Sequence, residues 1–498
     1  DGRAGTGEGT VKLADVLRDI PLAGSDAPGD LEISGLAYNS KSVRPGALFA
    51  ALRGAAQTGM DFVAEAEANG AVAVLSSWPK PASVRAAWVQ TADAREALAL
   101  AAANFYGHPS DRMKVVGVTG TKGKTTTTYL LESILRAAGA APGVVGTITY
   151  RRPGWEVPAP RTTPESPDLQ ALLRDMVDAG VSHCVMEVSS HALEQKRVWG
   201  VGFDVAVFTN LSGEHLDYHP SMESYFEAKK KLFTLNHKKR AAVVNMDDPW
   251  GQRLVAELPM TTVTFGLAPA AIVRAVKHVM TEAGLDAQVA YPGGVMRLQS
   301  ALVGRHNLSN ILAAAAAALA LNVAPADIVK GVAALAGVPG RFERVPNGRG
   351  IQVVVDYAHT DNALEHVLMT AREFKPRRLI LVFGAGGDRD RDKRERMGRV
   401  AARLADWTVL TSDNPRSEDP AAILAAIEGG FAKEAVKAYE VEPDRRKAIV
   451  RALATANKGD IVIIAGKGHE TYQVFKDRTV HFSDLEVAAE ALRAGEGS

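Results

Sequence analysis

One cysteine, Cys184, is all that 498 residues contain. An internal disulfide and any cysteine-cluster metal site are therefore excluded, and the composition fits a reducing compartment. Long apolar runs are missing too. None approaches the roughly 18 residues that cross a bilayer, so no membrane span is expected. There is no excess of one charge: Lys+Arg 58 against Asp+Glu 57 leaves a formal +1, which argues against a nucleic-acid surface or an acidic tail. The N-terminal DGRAGTGEGT is small and acidic, whereas an export signal is basic and then apolar. No export signal is expected, and the cytoplasm is the expected compartment. With Gly 45 and Pro 24 the chain has too few of either for a disordered or fibrous protein. It should be globular, and at roughly 100 to 200 residues per domain its length points to about three domains.

Apolar β-branched runs alternate with helical stretches almost throughout, which predicts an α/β protein with parallel sheets covered by helices. The first ~110 residues carry a helix-like KLADVLRDI, the apolar runs ALFAAL and AVAVLSS, and a helical segment from Ala94 that Pro109 should end. At Met113 a second series opens with MKVVGVTG, a Gly/Thr loop and a helix that Gly139 should close. Further strand-like runs follow in SHCVMEVSS, FDVAVFTNL, AAVVNMDDP and TTVTFGL, then a β-like stretch from Ala271 to Val303 and the alanine-rich NILAAAAAALALNVA, which should be a buried helix. After GVPGRFERVPNGRG, whose Pro and Gly read as a linker, a third series has IQVVVDYAH, RRLILVFGAGG, DWTVLTSDNP and DIVIIAGKGHE. Each ends in a polar or glycine-rich turn before a helix. Ligands of open α/β sheets gather at the carboxyl ends of strands, so these four turns should rim a site.

The strongest local signal is GVTGTKGKTTT, which follows a strand and opens a helix. Gly120 and Gly123 let backbone N–H groups approach phosphates, Lys124 would reach the β/γ-phosphates and Thr125 would ligate Mg²⁺. Val118 stands where the strict Gly-X4-Gly-Lys-Thr pattern needs its first glycine, so the loop is a variant of the phosphate-binding form. The bland alternative is a glycine-rich helix cap. Downstream, Glu187 and His215 lie at two strand ends and could serve a metal, or could be an N-cap and a polar turn; imidazole is an unusual partner for Mg²⁺. In YFEAKKKLF, spacing alone reads Lys229, Lys230 and Lys231 as a solvated helix face. The third series contributes Arg389, then Asp413, Asn414 and Arg416, then Glu470. Arginines beside carboxylates can hold a small zwitterion, guanidinium on carboxylate and Asp or Glu on ammonium; surface salt bridges are the alternative.

The sequence resembles the Mur ligase family. The likeness runs through NSKSVRPGALFAALRG, GVTGTKGKTTT, TTPE, MEVSSHALEQKRV, FTNLSGEHLDYH, YFEAKKKLF, NMDDP, GRHNLSNILAA, GVPGRFERV, VVDYAHT, FGAGGDRDRDKR, TSDNPRSEDP and AGKGHE, in the family's order. It implies three domains: a small N-terminal α/β domain over 1–112 holding the UDP end of a substrate, a central P-loop ATPase with a mostly parallel sheet over 113–338, and a C-terminal Rossmann-like domain over 339–498 that brings an amino acid. It implies an ATP-dependent amide ligase working on small molecules; a monomer is expected. By motif, Gly120, Thr121, Lys122, Gly123, Lys124, Thr125 and Thr126 hold ATP, with Asn307 and Asn310 of the adenine-side motif around His306, Arg341 on the phosphates and Asp356 on the ribose. Ser40 should contact uridine, and Thr162, Thr163, Ser189, Gln195 and Arg197 the muramoyl-dipeptide of UDP-MurNAc-L-Ala-D-Glu. Thr125, Glu187, His215 and Lys229 are implied metal ligands, and Lys229 is similar to a family lysine that becomes carbamylated. SDNPR resembles the version selective for meso-2,6-diaminopimelate, held by Arg389, Asp413, Asn414, Pro415, Arg416, Gly466 and Glu470.

Several positions depart from the family pattern. Asn39-Ser40-Lys41 replaces Asp-Ser-Arg, AAQTG replaces a His-containing segment, and Lys122 stands for Asn. Glu214-His215 replaces Asp-His, Asp361 replaces Pro and Ala385 replaces Cys. None removes a group the chemistry requires. Two other readings are open: a sister ligase adding lysine to the same dipeptide or glutamate to folate, and a nucleotide-gated binding protein that makes no bond.

Overall fold

The β-branched run Lys114–Thr119 forms the strand that precedes the glycine loop, and its neighbours on both sides are parallel to it. In the computed structural model, which describes residues 9–54, 57–213, 218–235, 241–436 and 438–496, the chain forms two compact units. The first comprises residues 1–277, 288–297 and 309–334, and the second 278–287, 298–308 and 335–498.

In the first unit His183–Glu187 lies on one side of Lys114–Thr119 and Val205–Phe208 on the other, so that Val116 faces both Val185 and Val205. Pairing continues outward to Pro142–Val145 on one flank and to Ala241–Asn245 and Thr262–Gly266 on the other, all parallel. An antiparallel hairpin, Thr149–Arg152 with Trp155–Pro158, closes one edge. Strands buried on both faces read as unbroken apolar runs, and Val115, Val116 and Val118 are all fully buried. One face packs Met113, Leu169, Leu173, Met186, Phe203 and Phe226 into a single cluster. Helix Lys124–Ala137 ends at Gly139, whose φ of 77° fits the left-handed closing residue expected there. The alanine-rich segment is the helix Arg305–Ala320, buried from Ile311 through Ala318 as expected. The stretch from Ala271 to Val303 forms three strands, Val273–Thr281, Gly284–Tyr291 and Gly294–Ser300.

The N-terminal part of this unit has its own sheet, in the order Gly24–Ser25, Ala87–Gln90, Ala71–Ser76, Ala47–Ala51, Gly35–Ala37. Two sequence expectations shorten here. KLADVLRDI yields one helical turn, Leu13–Val16, because Asp19 turns to φ 60° and Pro21 disfavours helix at Ile20. The helix Ala94–Phe105 stops before Pro109, since Gly107 and His108 both take left-handed backbone. This sheet is tied to the next by Tyr38 Oη donating to Asp168 at 2.6 Å and by Lys196 pairing with Asp93 at 2.8 Å.

The second unit is a sheet in the order Glu343–Arg344, Gln352–Asp356, Ile461–Ala465, Leu379–Phe383, Trp407–Leu410, Tyr439–Val441, parallel except for its first strand. Side chains alternate along each strand. Val354, Leu381 and Ile463 pack under helices Asp361–Glu373, Asp392–Leu404 and Pro420–Lys433, while Val353, Ile380 and Val462 face Arg445–Thr455 and Asp484–Glu496. The carboxyl ends of the four central strands are the four turns singled out from sequence. Beneath them Arg445 and Asp484, both fully buried, make two parallel hydrogen bonds of 2.7 Å. Removing one partner of such a pair strands the other charge and costs about 3–5 kcal/mol. Among the described residues no helix is long and apolar enough to cross a membrane.

Candidate active site

In the first unit, the loop between Lys114–Thr119 and Lys124–Ala137 is bound from behind by the turn after Val205–Phe208. Thr209 Oγ1 and Asn210 Nδ2 donate to the Lys122 carbonyl at 2.6 and 3.2 Å, and Asn210 Oδ1 accepts from the Lys122 N–H at 2.9 Å. These bonds run through the backbone of residue 122, which is compatible with lysine there in place of asparagine. Gly123 has φ 87°, and a Cβ on it would lie 2.3 Å from Asn310 Oδ1. The loop and Asn310 are thus in direct apposition, whereas Asn307 belongs to the second unit, where its Nδ2 donates to the Val303 carbonyl at 2.8 Å.

Lys124 Nζ curls back on the loop, donating to the carbonyls of Gly120 and Thr121 at 2.9 and 3.1 Å. Lys229 Nζ donates to the same Gly120 carbonyl at 2.9 Å, from a side chain that is 1% exposed. That placement corrects the solvated-face reading for this residue, while Lys230 and Lys231 pair with Glu257 and Glu194 as surface lysines do. Tyr225 was not singled out from sequence. Its ring lies under Lys229 at 4.5 Å and its hydroxyl is 3.2 Å from Thr121 Oγ1, and helical spacing places it four residues before Lys229.

Glu187 ends its strand 1% exposed. Its two carboxylate oxygens accept from Thr147, one from the backbone N–H and one from the hydroxyl, each at 2.9 Å. Thr147 Oγ1 is also 3.1 Å from Thr162 Oγ1. Thr163 continues the chain, donating to the Glu187 carbonyl at 2.9 Å and accepting from Ser189 N–H at 3.1 Å. Arg197 donates to the Thr163 carbonyl at 3.0 Å and to Gln195 Oε1 at 2.6 Å, and pairs with Glu165 at 3.1 Å. Five residues expected to bind the dipeptide, Thr162, Thr163, Ser189, Gln195 and Arg197, are therefore linked to Glu187 by hydrogen bonds. Thr147 escaped the sequence reading, because a threonine after a strand carries no distinguishing pattern, and Glu165, though part of TTPE, was given no role there.

Thr125, Thr126 and Glu187 are buried beside the loop and the strand end, and Thr125 and Glu187 supply the hard oxygens that suit Mg²⁺. His215 lies outside the described residues. Among those described, no three His, Cys, Asp or Glu side chains cluster as a protein-only metal site. Ser40 is 4% exposed, and its hydroxyl donates to Glu65 at 2.6 Å.

In the second unit Arg341 stacks its guanidinium over Tyr357 at 4.9 Å, and Asp356 accepts from the N–H groups of Phe342 and Ala358 at 2.7 and 2.8 Å. The turn after Trp407–Leu410 carries Asp413, Asn414, Pro415 and Arg416. Asn414 O accepts from Gly387 N–H at 2.9 Å and Arg416 Nη1 donates to the Gly387 carbonyl at 2.7 Å, which sets this turn against the one bearing the exposed Arg389. Arg416 sits at φ 53°, a conformation a non-glycine residue adopts only when its surroundings impose it. Gly466 has φ 115°, and a Cβ there would come within 2.8 Å of Asp413 Oδ2, so only glycine lets the two turns meet. Asn414 Nδ2 donates to Glu470 Oε2 at 2.9 Å. The structure thus gathers Asp413, Asn414, Pro415, Arg416, Gly466 and Glu470. Sequence reading missed what braces them: Gln473, donating to the Asp413 carbonyl at 2.8 Å, and the buried Arg394 with two hydrogen bonds to Glu418.

Three family models match the chain: "Mur ligase family, catalytic domain" over residues 32–106, "Mur ligase middle domain" over 118–318 and "Mur ligase, glutamate ligase domain" over 340–468. Proteins named UDP-N-acetylmuramoyl-L-alanyl-D-glutamate--2,6-diaminopimelate ligase from Geobacter metallireducens and Solibacter usitatus are each 47% identical, over 97% of this chain and 98% of theirs. A solved structure of a ligase of the same name superposes with a TM-score of 0.71 at 32% identity, covering 98% of this chain and all of that one. The MurF ligase from Thermotoga maritima, solved in complex with ADP, shares the fold at 22% identity with a TM-score of 0.61, over 93% of this chain and 98% of that one.

Proposed function

Because the chain belongs to the Mur ligase family, we propose that it joins meso-2,6-diaminopimelate to the D-glutamate carboxylate of UDP-MurNAc-L-Ala-D-Glu at the expense of ATP. It is an ATP-dependent ligase of peptidoglycan precursor synthesis, with its domains falling over 1–112, 113–338 and 339–498. The observation that carries the choice of amino acid is the turn Asp413–Arg416, seated against Gly387, Gly466 and Glu470.

The γ-carboxylate oxygen of D-glutamate attacks the γ-phosphorus of ATP, ADP departs and an acyl phosphate forms. Lys124, whose Nζ donates to the Gly120 and Thr121 carbonyls, would offer its ammonium to the transferred group, and the N–H groups around Gly123 would face the phosphates. Thr125 and Glu187, with His215 and a carbamylated Lys229, would hold Mg²⁺; the ion, when bound, spreads the charge that develops in phosphoryl transfer. Thr162, Thr163, Ser189, Gln195 and Arg197 orient the dipeptide, and Ser40 serves the uridine end. Gly120 through Thr126, Asn307, Asn310, Arg341 and Asp356 serve ATP. Arg389 and Arg416 take the distal carboxylate of diaminopimelate, and Asp413 and Glu470 its distal ammonium. The free amine of the other end attacks the acyl carbon, loses a proton, and phosphate leaves from the tetrahedral intermediate. Aligning two large substrates supplies much of the rate. Soluble nucleotide substrates support a cytoplasmic location.

The test is phosphate release with ATP, Mg²⁺ and UDP-MurNAc-L-Ala-D-Glu, comparing meso-diaminopimelate with L-lysine. Release with diaminopimelate alone is expected. Release with lysine instead would make the chain a sister ligase, and release with neither would remove it from this branch of chemistry.

A further inference from the structure

A lysine with no exposed side-chain surface is an anomaly, since its charge is costly away from water unless fully partnered. Lys467 is such a residue, 0% exposed in the turn after Ile461–Ala465, flanked by Gly466 at φ 115° and Gly468 at φ 53°. Its Nζ donates to Asn414 Oδ1 at 3.1 Å and to Glu470 Oε2 at 3.2 Å, with the Tyr472 ring 5.5 Å away. We infer that Lys467 is a positioning residue that sets the charge balance of the amino-acid site, and so its preference for a zwitterionic distal group over a purely cationic one. The inference rests on the reading of that site as the one for diaminopimelate.

Two consequences of the geometry support it. The first concerns Asn414, whose amide oxygen and nitrogen are nearly isosteric and whose orientation only its partners determine. Its Oδ1 accepts from Lys467 Nζ and from Val474 N–H at 2.9 Å, while its Nδ2 donates to Glu470. A flipped amide would set two donors against the ammonium and the N–H. Lys467 therefore fixes which face Asn414 and Glu470 present.

The second is electrostatic. Asp413, 6% exposed, and Glu470 bring two carboxylates to the site, and Arg416 and Arg389 bring two guanidinium groups. With Lys467 held on Glu470, part of the negative charge of the two carboxylates is offset, so that Asp413 and Glu470 together suit one ammonium while the arginines take a carboxylate. Without Lys467 the site gains an uncompensated negative charge. It then suits lysine, whose distal end is an ammonium alone, better than a zwitterion. Buried charge imbalances of this kind act chiefly on discrimination.

The experiment measures kcat/KM for meso-diaminopimelate and for L-lysine, with KM for ATP and the melting temperature, in the full-length enzyme, Lys467→Met and Lys467→Arg. Wild-type turnover with diaminopimelate tests the underlying reading by itself; if it is absent, that reading fails before the variants are compared. In Lys467→Met the diaminopimelate-to-lysine ratio should fall about tenfold or more, with KM for ATP unchanged. Lys467→Arg, which keeps the charge, should discriminate within about threefold of wild type. A Lys467→Met enzyme that loses both activities equally, with the ratio intact, would show a merely structural lysine and overturn the inference. Should Lys467→Met fail to fold, Lys467→Arg decides: a ratio more than about tenfold below wild type despite the retained charge would overturn it as well.

Discussion

Thr147 donates twice to Glu187, through its N–H to Oε1 and through its hydroxyl to Oε2, both at 2.9 Å. A carboxylate held at both oxygens by one residue has a fixed plane, which matters for a group assigned to a metal and a phosphoryl transfer. Thr147→Val keeps the shape and the N–H but leaves Oε2 without its hydroxyl. We expect kcat to fall about tenfold, in line with the ~1–3 kcal/mol that an unsatisfied buried acceptor costs, and Thr147→Ser to restore most of it. Steady-state phosphate release at saturating substrates measures this.

Lys229 is buried against the phosphate loop, donating to the Gly120 carbonyl and lying over the Tyr225 ring. Carbamylation would turn it into an anion able to support a metal. Protein equilibrated with ¹³C-bicarbonate should show a carbamate resonance that Lys229→Met lacks, together with loss of activity in the variant. A wild-type spectrum without that resonance would leave Lys229 as a structural cation.

Arg416 joins two turns through Gly387, and it is proposed to bind the distal carboxylate of diaminopimelate. Arg416→Ala should raise KM for diaminopimelate by roughly ten- to hundredfold, as expected for ~1.5–3 kcal/mol from a hydrogen bond to a charged group. KM for ATP should stay unchanged. An equal rise in both constants would mean that the turn itself had collapsed.

Burial, with Arg341 and His359 nearby, pushes His469 down to about 4 from its ordinary 6.5. The folded state then binds fewer protons than the unfolded chain, so the stabilisation is complete above pH 6.5 and is lost as pH falls toward 4. Over that window the wild type should lose up to about 3 kcal/mol more stability than His469→Gln. Urea unfolding at pH 7, 5.5 and 4 reads the difference, and parallel curves would refute it.

Cys184 is fully buried, and burial pushes its thiol up to about 12. At pH 8 the native protein should react negligibly with a thiol-specific disulfide reagent. One equivalent should react once urea unfolds the first unit. Rapid native labelling would contradict the placement of His183–Glu187 inside the sheet.

The phosphate loop was legible because its determinants are consecutive: glycines, a lysine and threonines between a strand and a helix place themselves. The same holds for the four strand-end turns of the second unit, since strands buried on both faces leave unbroken apolar runs and end where polarity returns. KKK at 229–231 was not legible. One lysine of the three is buried and two are half-buried, which depends on what lies across the helix, and local spacing carries no information about that. The dipeptide residues and their roles came from resemblance, while the bonds that join them to Glu187 came from the fold.

By itself, then, the sequence determined the class, the alternation of strands and helices, the phosphate loop and the residue types of the amino-acid site, because each depends on neighbours in the chain. Only the tertiary structure decided that Thr147 orients Glu187, that Lys229 reaches Gly120, and that Lys467 lies beneath Asn414 and Glu470. Thr147 meets Glu187, and Lys467 meets Asn414, because the parallel order of the sheets brings the carboxyl ends of non-consecutive strands side by side, whereas Lys229 reaches Gly120 from a helix.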